Sequence, residues 1–277
     1  MSMLGDPATL VSLLWGTLCL RPYVFVFLVV FLVAAARDLG AGRTVLFLLW
    51  GWGVACAAEY ASTRVGIPFG LYHYTGLTTG LELYISNVPF FDSLSFPFLA
   101  YAAFCLSRRA LGTGHGAGVV WLAGVLMMLV DVVVDPLAVR GDRWFLGRIF
   151  YYPAGGVYFG VPLSNFAGWM LVGWAIVGGY AIATRLAAHP SKKDGDGSTG
   201  GGVMLYYGVL LFNLALTAWI GEWGLLTAGI LVQAGAGLLL YGGGARLRRQ
   251  GFPAAVSARH RAGGSGHDFD STRSCRL

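Results

Sequence analysis

Asp131 and Asp135 stand four residues apart in MMLVDVVVDPLAV, residues 127–139, among Met, Leu and Val. On a helix that spacing stacks both carboxyls on one face. Like charges so placed repel, and burial disfavours charge further, so one of the pair is expected to be a neutral, proton-donating acid. Pro136 follows Asp135 directly and disfavours continuation of the helix. The negative end of the macrodipole there adds to the case against an anion. A carboxylic acid beside a carboxylate is the equipment of general acid–base chemistry. Glu59 is a third carboxylate set well inside an expected span. The bland alternatives are also physical. Arg140, Arg143 and Arg148 follow in the next loop and could clamp the aspartates in a structural ion-pair set. His73, alone in YHYT, suits a hydrogen-bonded packing role.

Several chemistries find no support. There is no HxxxH or HxxHH cluster for di-iron, no Walker loop, no DDxxD-type run, and no CxxC pair among Cys19, Cys56, Cys105 and Cys275. The reading is therefore of a reaction without metal, nucleotide or other cofactor.

The elements that must hold these residues are membrane helices. Of 277 residues, 56% are hydrophobic and 12% charged, with mean hydropathy +0.66; soluble domains run at roughly 25% charged. Seven segments approach the about 20 apolar residues that a bilayer core requires: 22–36, 44–63, 90–107, 117–136, 163–184, 203–220 and 224–241. The fold expected is all-α, a polytopic helical bundle of about seven spans. Residues 1–21 form an N-terminal segment in which 7–20, fourteen residues of PATLVSLLWGTLCL, is too short to span and reads as an interfacial or re-entrant helix, with an eighth span as the alternative. The transmembrane domain covers 22–244. The linker HPSKKDGDGSTGGG (189–202) reads as flexible, and 245–277 as a basic tail without helical periodicity.

Charge sets the topology. One set of loops carries Arg37, Arg43, Arg108, Arg109, Arg185, Lys192, Lys193 and seven tail arginines, 14 in all; the other carries Arg21, Arg64, Arg140, Arg143 and Arg148, which is 5. The positive-inside rule then places the C-terminus in the cytoplasm of a multi-pass cell-membrane protein. In such a chain the pI of about 9.3 belongs to topology and lipid, with no nucleic-acid partner implied. Glu59, Asp131 and Asp135 are the carboxylates well inside the expected spans, all toward the outer ends. The long outer loops, 64–89 and 137–162, are rich in Gly, Pro, Tyr and Phe. Irregular backbone at membrane depth must line a cavity or be buried in protein, so acids, aromatics and Asn165 are expected to converge on one pocket, although most of these aromatics would serve equally as an interfacial belt.

Three stretches taken together, GIPFGLYHYT (66–75), DVVVDPLAV (131–139) and YFGVPLSNFAGW (158–169), resemble the membrane-integral carotenoid biosynthesis family, which includes γ-carotene 1′,2′-hydratases and bisanhydrobacterioruberin hydratases. The resemblance runs over residues 45–240 or so. It departs from the family's usual pattern in TGLELYISNVPFFDSLSFPF and FLGRIFYYPAGG, loops that would shape substrate choice. It implies addition of water across the C1=C2 bond of an acyclic ψ-end group, with an acyclic carotenoid in the bilayer as substrate and other carotenoid biosynthesis enzymes as partners. On that implication Asp131 and Asp135 supply the general acid and its partner, Asn165 orients the water, and Glu59 is an alternative base. Tyr72, His73, Tyr74, Tyr158, Phe159 and Trp169 would line the substrate site. A carotenoid cyclase, a non-catalytic carotenoid-binding scaffold and a small transporter remain as rival readings.

Overall fold

The computed structural model describes residues 7–112, 116–187 and 198–250. The chain divides into two compact units, Met1–Ala236 and Gly237–Leu277; every residue discussed at the site belongs to the first, and the described part of the second is helical from 237 to 250. Eight helices follow in order among the described residues: α1 (Pro7–Leu20), α2 (Pro22–Asp38), α3 (Ala41–Val65), α4 (Phe90–Leu111), α5 (Ala117–Ala138), α6 (Leu163–Ala187), α7 (Gly200–Trp219) and α8 (Trp223–Gln250). Six of them, α3 to α8, are each long and apolar enough to cross a membrane. The remaining expected span, 22–36, is α2, which reaches spanning length only with α1; the two meet at a bend of 92°. At 1.5 Å per residue, the 14 residues of α1 fall short of a roughly 30 Å hydrocarbon core, so α1 does not span alone; with α2 it forms a broken span or a re-entrant element.

The expected tail begins inside α8, whose helix continues through Gln250. Residues 251–277, with Cys275, lie outside the described residues, as do 189–197 of the expected linker.

The centre of the first unit is α4, which packs against α2, α3, α5, α6 and α7. A helix with neighbours all round must be apolar all round, and beyond its polar first turns α4 is, over FPFLAYAAFC. The helices approach closely through small residues, since helices in lipid associate by close packing rather than by a hydrophobic drive. A Cβ on Gly173 of α6 would stand 2.9 Å from the Cα of Gly124 of α5, so this pair of glycines brings α5 and α6 together and, with them, Asp131, Asp135 and Asn165. Outward-facing positions such as Val26, Val29, Val33, Leu211 and Leu231 are exposed and apolar, which suits lipid rather than water.

Chain alternation sends the C-termini of α3, α5 and α7 and the N-termini of α4, α6 and α8 to one end of the bundle. There the two long loops are stitched together. Strand β1 (His73–Tyr74) pairs antiparallel with β4 (Phe150–Tyr151), in register His73 to Tyr151 and Tyr74 to Phe150; β2 (Tyr84–Ile85) and β3 (Val88–Pro89) form a separate hairpin. Thr75 extends the first pairing, its N–H donating to the Ile149 carbonyl at 2.8 Å and its hydroxyl to the Arg148 carbonyl at 2.7 Å.

Candidate active site

Asp131 and Asp135 occupy the last two turns of α5 and face the start of α6, where Asn165 is the third residue. The Asn165 side-chain amide donates one hydrogen to Asp131 Oδ2 and the other to Asp135 Oδ2, both at 2.7 Å. Both carboxyls therefore meet at a single amide nitrogen. Trp169, one turn along α6, donates its indole N–H to Asp135 Oδ2 at 3.4 Å. Asp131 and Asn165 are buried, at 0% and 1% exposure. Local sequence accounts for the approach: a Cβ on Gly168 would stand 2.7 Å from the Pro68 carbonyl oxygen and from Phe69, so the SNFAGW turn of α6 can lie against the GIPFG loop only with glycine there.

The arginine clamp is corrected. Arg140 donates to the carbonyls of Pro136 (2.8 Å) and Phe159 (2.7 Å) and pairs with Glu222 at 3.2 Å. Arg143 also pairs with Glu222 and donates to the Ile220 carbonyl, while Arg148 lies over the Tyr151 ring. Arg140 and Arg143 tie the second loop to the α7–α8 turn, and the aspartates are left to Asn165 and Trp169.

A second acidic cluster faces the first. Glu59 of α3 is buried at 2% exposure and accepts a short hydrogen bond from Ser93 of α4. The Tyr74 hydroxyl lies 2.5 Å from Asp92 Oδ2 and 3.3 Å from Glu59 Oε1, with the Tyr72 hydroxyl 3.5 Å away. Asp92 and Ser93 belong to the first turn of α4, so the spans hold one more site carboxylate than the three read from sequence. The available signal was an Asp in the opening turn of an apolar helix, just after Pro89.

Both clusters border one cavity of about 110 Å³, lined among others by Glu59, Asp92, Asp135 and Asn165. A single water needs roughly 10–15 Å³ of such space, so there is room for a small branched hydrocarbon end and a water together. The walls are aromatic. Phe96 stacks on Trp169 with centroids 4.4 Å apart and planes at 13°, and Phe69 packs against both. Tyr72 meets Phe150 and Tyr152, each at 5.7 Å. Burial, then the nearby carboxylates, holds the Tyr72, Tyr74 and Tyr152 phenols well above their ordinary value of 10.0, so all three remain proton-bearing donors at neutral pH. Away from the carboxyls the lining turns apolar, through Val24, Phe27, Leu99, Val209 and Phe212.

Tyr72, Tyr74 and Trp169 therefore join Asp135, Glu59 and Asn165 at the cavity, and Asp131 stands behind Asn165 without lining it. His73, Tyr158 and Phe159 lie elsewhere. The His73 ring faces Tyr151 across the strand pair at 6.0 Å. Tyr158 and Phe159 pack on the Leu137, Leu216 and Leu225 cluster. In the two-residue strand, alternation sends Tyr74 inward and its neighbour His73 away. Among the described residues no three His, Cys, Asp or Glu side chains gather as metal ligands would.

Residues 20–241 match the family model described as carotenoid biosynthesis protein. Among characterised relatives, the chain is 32% identical over 212 residues to bisanhydrobacterioruberin hydratase of Haloarcula japonica. The alignment covers 73% of this chain and 64% of the relative, so the chain spans just under two thirds of that protein's length. No solved structure gives a significant match. With the family match running from the bend before α2 to the second half of α8 and including both acidic clusters, the chain belongs to the membrane-bound carotenoid biosynthesis protein family.

Proposed function

We propose that this protein is a carotenoid hydratase that adds water across the C1=C2 bond of an acyclic ψ-end group, giving a tertiary alcohol. The observation that carries the reading is the Asp131–Asn165–Asp135 set opening onto an aromatic, mostly apolar cavity; the hydratase name of the Haloarcula relative agrees with it. In the reaction, protonated Asp135 delivers its hydrogen to C2, the less substituted alkene carbon. The π pair forms the new C–H bond and leaves a tertiary cation at C1. The faces of Trp169, Phe96 and Tyr72 stabilise that cation through their quadrupoles, an effect of about 0.5–2 kcal/mol per ring. Water then adds to C1 and loses one proton to a second carboxylate. Asp131 is the partner carboxyl of Asp135, held by the other hydrogen of the same amide, and Asn165 fixes the geometry of both. Positioned acid–base groups of this kind contribute roughly 10²–10⁴-fold in rate.

The test is expression of the full chain in a bacterial host accumulating lycopene, with pigments analysed by liquid chromatography and mass spectrometry. A more polar pigment heavier by one or two waters is the expected result. An isomeric, less polar product would instead assign cyclisation from the same cation, and unchanged lycopene beside membrane-inserted protein would contradict the reading.

A further inference from the structure

Hydration needs a base as well as an acid, and the cavity presents two carboxyls in opposed settings. Asp135 lies in the last turn of α5, with its own carbonyl accepting from the Val139 N–H, where helix carbonyls concentrate negative charge. Asp92 lies in the first turn of α4, where unpaired N–H groups concentrate positive charge. The Arg21 guanidinium, 4.6 Å from the centroid of the neighbouring Phe91 ring, also acts on Asp92 electrostatically, with its ion-pair partner Glu82 acting in the opposite sense. A phenol has one proton to donate; at 2.5 Å the Tyr74 proton belongs to Asp92 Oδ2, while Glu59 is served by Ser93. Asp92 Oδ1 then has no protein donor among the described residues, and Asp92 lines the cavity.

We infer that Asp92 is the base of the hydration, taking a proton from the water that attacks C1, with Tyr74 holding it in place. The inference rests on the hydratase reading. In the first step the Asp135 O–H bond breaks and the C2–H bond forms, leaving a C1 cation and an Asp135 carboxylate. In the second, a lone pair of the water forms the C1–O bond and one water O–H bond breaks, its proton going to the Asp92 carboxylate. The sum is addition of one water, with one proton moved from Asp135 to Asp92. Both groups border the same cavity, so water refilling it after the alcohol leaves returns that proton and resets the site.

The two steps separate in an isotope experiment. Membranes carrying the full chain are incubated with lycopene in D₂O, and both alcohol formation and deuterium at C2 of recovered lycopene are measured. Asp92→Asn is expected to lower alcohol formation by about 100-fold or more while deuterium still enters C2, because Asp135 goes on delivering a deuteron to C2 and, after bond rotation at C2, removes the original C2 hydrogen in its place. Asp135→Asn is expected to lose both signals. Alcohol formation by Asp92→Asn at the wild-type rate overturns the inference, as does loss of both signals at normal membrane content. If Asp92→Asn fails to accumulate, Asp92→Glu carries the test: a lowered ratio of alcohol to exchange supports the role, and an unchanged ratio overturns it. A wild-type chain giving neither signal overturns the hydratase reading, and the inference with it, whereas the preceding failures, with wild type active, overturn the inference alone.

Discussion

Asn165 has two amide hydrogens, and each goes to a different carboxyl at 2.7 Å. Replacing it by alanine leaves two buried carboxyls without their shared donor, a change worth about 1.5–3 kcal/mol for hydrogen bonds to charged groups. Asn165→Ala is therefore expected to lower kcat by about 10- to 100-fold with little change in KM, read from steady-state kinetics in membranes; an unchanged kcat would remove the amide from the reaction. At this scale the sequence was legible where chemistry declares itself by spacing. Two carboxyls at i and i+4 in an apolar run are costly unless they share a proton or a partner, and the structure gives Asp131 and Asp135 a shared partner in the Asn165 amide. Asp92 was illegible for a physical reason: an acid at the mouth of a span looks like an ordinary first-turn residue, and only tertiary pairing with Tyr74, 18 positions away, gives it another setting. His73 shows the converse, since strand alternation separates it from the tyrosines that flank it in YHYT.

The corner between α1 and α2 governs how the loops close over the cavity. Arg21, at 1% exposure, makes two hydrogen bonds to Glu82 in the first loop, at 3.0 and 3.3 Å, and one to the Leu146 carbonyl in the second, at 2.6 Å. Thr17 adds a bond from the Leu83 N–H at 2.9 Å. One guanidinium thus joins the bend to both loops. Truncating one partner of a buried pair leaves the other charge stranded, costing about 3–5 kcal/mol. Arg21→Ala is expected to lower the thermal midpoint in detergent sharply, and Arg21→Met with Glu82→Leu to recover much of the loss; equal destabilisation in the single and double variants would contradict the account. The helices themselves could be read from apolar run length. This corner could not, because Arg21, Glu82 and Leu146 are brought together only by loop packing.

At the scale of the molecule, the site sits at the bundle end that carries Arg21, Arg64, Arg140, Arg143 and Arg148, and the opposite end carries Arg37, Arg43, Arg108, Arg109 and Arg185. Most arginines at the site end have local protein partners: Arg64, for instance, donates to Asn87 and Ser86. Charge asymmetry then predicts a cytoplasmic C-terminus. A C-terminal green fluorescent protein fusion should fluoresce and a C-terminal alkaline phosphatase fusion stay inactive, with the reverse pattern contradicting that orientation. The helical bundle was readable from composition and run length, since lipid allows few spanning structures. That the two irregular loops border one pocket with the acids was readable too; the strand pairing that joins them was not, because short β pairings leave almost no sequence signature. The central claim is that Asp135 is the acid, and the most direct measurement compares pigments from lycopene-producing cells that express the wild-type chain or Asp135→Asn, with membrane content matched by immunoblot. The account predicts hydrated carotenoid from the wild type and lycopene alone from Asp135→Asn; near-equal hydration by both would contradict it.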